Sequence, residues 1–224
     1  MNTFKIQDYP YSKEINGTFE SSKAQLSIFI HTGTWEEYGS NYNNYAQGTI
    51  GVDISKNSGE DGFAAPNLMF PVLENFEKFS SIHNLVGVHC VETWKDPFKD
   101  DYRFYWEGVL GNDLDGCLTG NDISFKKYSS EGFIVDWSAN ITTWVSEGKW
   151  GEKIGSIYYD GTVTFNGVSL RVKMEGDEDA IIQKVFSVSI DEWNKNWNKQ
   201  QKSITFNMPK MTEIWQQITY TPKA

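Results

Sequence analysis

The sequence predicts a mainly β protein: a β-sandwich or a barrel-like pair of antiparallel sheets, with two short helices packed at the edge. Three observations carry that expectation. Runs of β-branched and aromatic residues recur along the whole chain, turn dipeptides containing Gly, Asn and Asp separate them, and helical spacing occurs in just two segments. The chain has 224 residues, 15% of them Phe, Trp or Tyr, which is enough apolar surface for a sizeable core and too much for a disordered chain. No Pro/Gly/Ser-rich linker interrupts it, so residues 1–224 are expected as a single β-rich domain.

Taken in order, Gln25 to His31 (QLSIFIH) and Gly48 to Ser55 (GTIGVDIS) read as strands. Leu85 to Trp94 alternates, with Val86, Val88 and Cys90 on one face and Gly87, His89 and Val91 on the other; Tyr102 to Leu110 alternates in the same way. Gly111-Asn112-Asp113 and Gly120-Asn121-Asp122 read as turns around a short strand at Cys117 and Leu118. Gly132 to Val145, Ser156 to Phe165, Val168 to Met174 and Ile181 to Val188 read as further strands, with tight turns at Asp160-Gly161 and Asn166-Gly167. Ser203 to Met208 and Glu213 to Tyr220 form a closing hairpin turned at Pro209-Lys210.

Helical spacing appears first from Pro71 to Ile82, where Val72, Leu73, Phe76 and Phe79 recur with Pro71 suited to a first turn. The second helix is expected over Ser189 to Gln201. Ser189 and Glu192 make an S-x-x-E capping box, and Ile190, Trp193 and Trp197 follow on one face.

One phrase is written twice. At an offset of 115 residues, Ala24, Leu26, Gly33, Trp35 and Glu37 meet Ala139, Ile141, Gly148, Trp150 and Glu152. With a shorter second connection, Gly48-Thr49-Ile50 meets Gly161-Thr162-Val163. The match predicts two pseudo-repeated units, 19–55 and 134–168, with Trp35 and Trp150 equivalent and anchoring the core.

Charge and composition narrow the function. Thirty acidic residues against twenty basic ones give a net charge of -10, which disfavours nucleic acid and anionic membranes as ligands and suits a basic partner. No window approaches the ~18 apolar residues of a membrane helix, and the opening residues lack a signal-peptide core. With two cysteines, Cys90 and Cys117, the chain is expected in the cytoplasm if it starts at its natural N-terminus.

Catalytic and metal motifs are weak. Gly111 to Asp122 fits a calcium loop at Asp113, Asp115 and Gly116 but has Gly at the first ligand position and Asp at the last, so a hairpin is the better expectation. His31, His83 and His89 show no zinc spacing, and His89-Cys90 on a strand would point to opposite faces. Carboxylates beside aromatics (Glu36, Glu37, Glu107, Asp136) could serve a glycosidase pair, which needs a cleft that sequence cannot supply. No metal and no cofactor are expected.

The function expected from this profile is non-enzymatic: an acidic cytosolic protein that binds and blocks a partner protein with a basic surface, as immunity proteins and phage anti-defence inhibitors do. The partner-binding residues expected are Trp94, Asp96, Phe98, Asp100 and Asp101 in one loop, with Asp177, Glu178 and Asp179 in an acidic turn. The alternative is a carbohydrate- or small-molecule-binding β domain stacking ligand on Trp35, Trp150, Trp106 or Trp137. A structural role in a larger assembly is the third reading.

Overall fold

The computed structural model describes residues 2–10, 16–32, 45–54, 66–71, 79–93, 106–110, 116–145, 149–173, 177–208 and 211–223. The described residues are mostly strand, with two α-helices among them. Eleven strands join one large sheet: β1 (Thr3–Gln7), β2 (Gly17–His31), β3 (Tyr45–Ile54), β4 (Pro66–Pro71), β5 (His89–Val91), β6 (Glu107–Leu110), β7 (Gly116–Ser129), β8 (Gly132–Val145), β9 (Lys149–Lys173), β10 (Trp197–Met208) and β11 (Met211–Pro222). The pairing order is β1-β2-β3-β4-β6-β7-β8-β9-β11-β10; β5 pairs with β7, and β9 also pairs with β1 and β2.

Two compact units divide the chain. The first comprises Met1–Leu26, Thr49–Phe70 and Leu85–Phe165. Its core is built from alternate residues of successive strands: Phe4 and Ile6, Leu68 and Phe70, Ile123 and Phe125, Phe133, Val135 and Trp137, Ile157 and Tyr159, all buried. Phe125 and Phe133 meet edge to face with centroids 5.7 Å apart, and Phe70 lies 5.9 Å from Trp106.

The second unit comprises Ser27–Gly48, Pro71–Asn84 and Asn166–Ala224, and it holds both helices, α1 (Glu178–Phe186) and α2 (Ile190–Asn196). Its centre is aromatic. Trp193 stacks on Phe186 (5.2 Å, 8°) and on Trp197 (4.9 Å, 21°), and meets Tyr220 edge-on at 5.2 Å. Phe79 packs against Phe186 and Trp197. The Trp197 indole N–H donates to the Ser80 carbonyl at 2.8 Å, which ties residues 79–80 to the start of β10.

Several expectations need correction. Ile181 to Val188 is not a strand. Asp177 caps α1 by accepting from the Ala180 N–H at 3.0 Å, and Ile182, Val185 and Phe186 are buried at helical spacing. The β-branched composition of that run suggested a strand; its period is 3.6. The second helix ends at Asn196 rather than Gln201, because Trp197 adopts extended backbone and opens β10. Its Ser189 cap is as expected, accepting from Glu192 N–H at 3.2 Å.

The dipeptides Asp160-Gly161 and Asn166-Gly167 lie inside β9 instead of turning the chain. At both places the glycine admits a neighbour. A Cβ on Gly161 would lie 2.7 Å from Asn2 Oδ1, and one on Gly167, at φ +109°, would lie 2.4 Å from the Tyr220 carbonyl oxygen. Leu85 to Trp94 supplies just three strand residues, because Ile82–Leu85 is a 3-10 turn and Gly87 takes φ +82° before β5. The remainder of the expected first helix, 72–78, lies outside the described residues.

Candidate functional site

Gly120-Asn121-Asp122, expected as a turn, is a bulge within β7, where the register against β8 slips between Thr119 and Asp122. Gly120 has φ +60° there. The bulge turns Asn121 fully inward, and every polar atom of its side chain is used. Its Oδ1 accepts from the Trp137 indole N–H at 2.9 Å. Its Nδ2 donates to Glu92 Oε2 at 2.6 Å and to the Leu118 carbonyl at 3.1 Å. The Asn121 backbone N–H donates to the same carboxylate oxygen at 2.9 Å, and Glu92 N–H returns a bond to the Asn121 carbonyl at 2.7 Å. Burial pushes the Glu92 carboxyl up from the usual range, and the Asn121 hydrogen bonds oppose that rise.

One residue later the chain emerges on the opposite face, and Asp122 Oδ1 accepts a 2.7 Å hydrogen bond from His89 Nε2 on β5. The registers place a row of outward residues beside it. Val91 stands opposite Asp122, Ser138 opposite both Asp122 and Tyr158, and Asp136 opposite both Ser124 and Asp160. Ile134 shares this face two residues before Asp136. Its apolar members are unusually open: Val91 is 49% exposed, Tyr158 41% and Ile134 36%.

Asp136 and Asp160 face each other as like charges, a pairing that normally destabilises a sheet. Lys126 relieves it through an ion pair with Asp136, and the Asp136 hydrogen bond is the main reason its ammonium is held above its ordinary range. Partial burial, then the Asp136 and Asp160 charges, push the Tyr158 hydroxyl up. The face is therefore partly apolar and carries three carboxylates, Asp122, Asp136 and Asp160, among Val91, Ile134 and Tyr158, with Lys126 and, opposite Tyr158, Lys5 as its cations.

The residues singled out from the sequence fall differently. Trp94, Asp96, Phe98, Asp100 and Asp101 lie outside the described residues, as does Trp35 and the side chain of Trp150. Trp106 and Trp137 are buried, at 4% and 0% exposure, and neither offers a ring face for a ligand to stack on. Asp177, Glu178 and Asp179 do not form a free acidic turn. Asp177 is the α1 cap, Glu178 pairs with Lys199 and accepts from the Tyr220 hydroxyl at 3.4 Å, and Asp177 and Asp179 are exposed. Their charge complements the helix N-terminus. Sequence reading missed the Val91–Tyr158 face because its members come from four strands; alternation marked each strand's two sides without saying which strands pair.

Among the described residues no group of three or more His, Cys, Asp or Glu could hold a metal ion, and no helix is long and apolar enough to cross a membrane. No family model, no curated protein and no solved structure matches the chain.

Proposed function

We propose that the protein is a non-enzymatic binding protein that docks on and blocks a partner with a basic surface, as an inhibitor of the immunity or anti-defence type would. The observation that carries this reading is the β5–β7–β8–β9 face, where three aspartates alternate with exposed Val91, Ile134 and Tyr158. Carboxylates at a rim steer a basic partner, and apolar and aromatic side chains among them supply buried area once it has docked. Trp94, Asp96, Phe98, Asp100 and Asp101 follow β5 closely in the chain and belong to the same proposed interface. Asp177 and Asp179, exposed on the second unit, are proposed as a separate contact.

The same reading includes the finer architecture. A barrel-like arrangement of the first unit is supported by β1, which pairs with β2 through Phe4↔Phe19 and with β9 through Phe4↔Tyr159. The duplication of 19–55 and 134–168 is supported by matched burial: Ala24 with Ala139, Leu26 with Ile141 and Ile50 with Val163 all lie in the core.

The test is binding kinetics with the partner that co-purifies. Asp122→Asn with Asp160→Asn should slow association several-fold at low salt, and the variant should converge on wild type near ~1 M salt, where the screening length falls to roughly 3 Å. Tyr158→Ala should speed dissociation instead. An association rate insensitive to both the double change and salt would remove this face from the interface.

A further inference from the structure

The second unit carries a face of opposite character. Residues 166–173, 197–208 and 214–222 contain no Asp or Glu, although the chain holds 30 acidic residues, and the one carboxylate on β11 is Glu213, opposite Phe206 near the hairpin end of the strand. These residues belong to three neighbouring strands, β9–β11–β10. The inward positions Val168, Leu170 and Val172, and Ile218 and Tyr220, are buried. The outward positions are therefore Ser169 and Arg171 on β9, and Trp215, Gln217 and Thr219 on β11. Ser169 and Thr219 hydroxyls lie 3.3 Å apart, which fixes that face, and Gln200 and Lys202 join it opposite Thr219 and Gln217.

A shallow groove of about 190 Å³ runs here, lined by Gln200, Gln201, Lys202, Gln217 and Thr219. Beside it β10 ends the sheet: its described pairing is to β11, and residues 198–203 are all exposed. An end strand presents backbone donors and acceptors that another extended chain can complete.

We propose that β10 is a strand-addition site for an extended, acidic segment of a partner protein. Backbone hydrogen bonds to β10 would supply affinity. Carboxylates on alternate residues of the incoming strand would meet Lys202 and the Gln200 and Gln217 amides on the outward face. A second copy of this chain fits the edge less well, because its β10 brings another Lys202 and no carboxylate. This site is independent of the aspartate-bearing face of the first unit, and the two would recognise partners of opposite charge.

The experiment uses the full chain and synthetic peptides. A peptide alternating Glu and Val should bind saturably, at least about tenfold more tightly than its Lys–Val counterpart, a difference of ~1.4 kcal/mol. Backbone N-methylation of alternate residues should abolish binding, which ionic attraction alone would not do. Lys202→Glu and Lys202→Gln, both at an exposed position, should weaken the Glu–Val peptide about tenfold and severalfold. Absence of saturable binding up to about 1 mM, the top of the weak range, overturns the proposal. Equal binding of the N-methylated peptide, or equal displacement by a single-stranded oligonucleotide, overturns strand addition. Light scattering showing a dimer that Lys202→Glu dissociates would give the edge to a second copy and overturn the acidic-segment assignment. None of these outcomes touches the Asp122–Asp160 kinetics, so the two readings fail separately.

Discussion

Trp137 and Trp193 are both fully buried, each at 0% exposure, yet they are held by different physics. The Trp137 indole N–H closes a network with Asn121 and Glu92 that shapes the β7 bulge. The Trp193 indole N–H has no hydrogen-bond partner among the described residues, and its ring is instead sandwiched by Phe186 and Trp197. A buried N–H without a partner costs about 1–3 kcal/mol, and Trp193 offsets that cost by packing against four aromatic neighbours, Phe79, Phe186, Trp197 and Tyr220. One tryptophan specifies a polar geometry; the other fills volume. The first unit thus fixes a bulge and the face beyond it through hydrogen bonds, while the second fixes its helices through stacking.

The largest expected effect is Trp193→Ala. Emptying that site should cost ~3–5 kcal/mol, read as a lower urea midpoint. A loss under ~0.5 kcal/mol, typical of surface substitutions, would mean the stack is not the core of the second unit.

The sharpest comparison comes next, from conservative Trp→Phe changes at both sites. Trp137→Phe leaves Asn121 Oδ1 unpaired in the interior and should cost ~1–3 kcal/mol beyond its packing loss. Trp193→Phe removes an N–H that has no described partner, so its cost should be packing alone. Equal losses from the two changes would erase the distinction. Amide exchange at Asn121 provides a second readout, since the bulge should open in Trp137→Phe and remain protected in Trp193→Phe.

The smallest expected effect concerns Glu92. Its folded carboxyl is raised by burial, so the stability it contributes is full below its unfolded value and is lost as pH rises through the folded one. Glu92→Gln retains an oxygen able to accept both Asn121 bonds but cannot ionise. Its stability relative to wild type should therefore improve between about pH 4 and pH 7. A constant difference across that range would show that the carboxylate is solvated.

His31 follows the opposite rule and gives an independent check in the second unit. It stacks on Tyr45 at 4.7 Å, and burial lowers its pKa against the opposing hydrogen bond to Gln47. The unfolded chain takes up its proton first, so stability should fall as pH drops below about 6.5. His31→Gln should flatten that slope in urea titrations.

The sequence by itself determined a β-rich chain with few helical segments, because alternation and turn residues are local properties. It located the Ser189 cap, since a capping box closes within three residues, and the hairpin strands now seen as β10 and β11, registered from Trp197↔Pro222 to Met208↔Met211. It named Trp193 as a packing residue. Tertiary structure decided the rest. Asn-Gly and Asp-Gly dipeptides turn a free chain, but β9 continues through two of them, with the Asn2 side chain packed over Gly161 and the Tyr220 carbonyl over Gly167. Ile181 to Val188 became a helix because α1 buries Ile182, Val185 and Phe186 together. Trp106 and Trp137, ligand platforms in the alternative reading, are core residues, and the Val91–Tyr158 face and the β9–β11–β10 face exist only once strands distant in sequence share a register. Burial and pairing are sums over the whole fold, and no local pattern contains them.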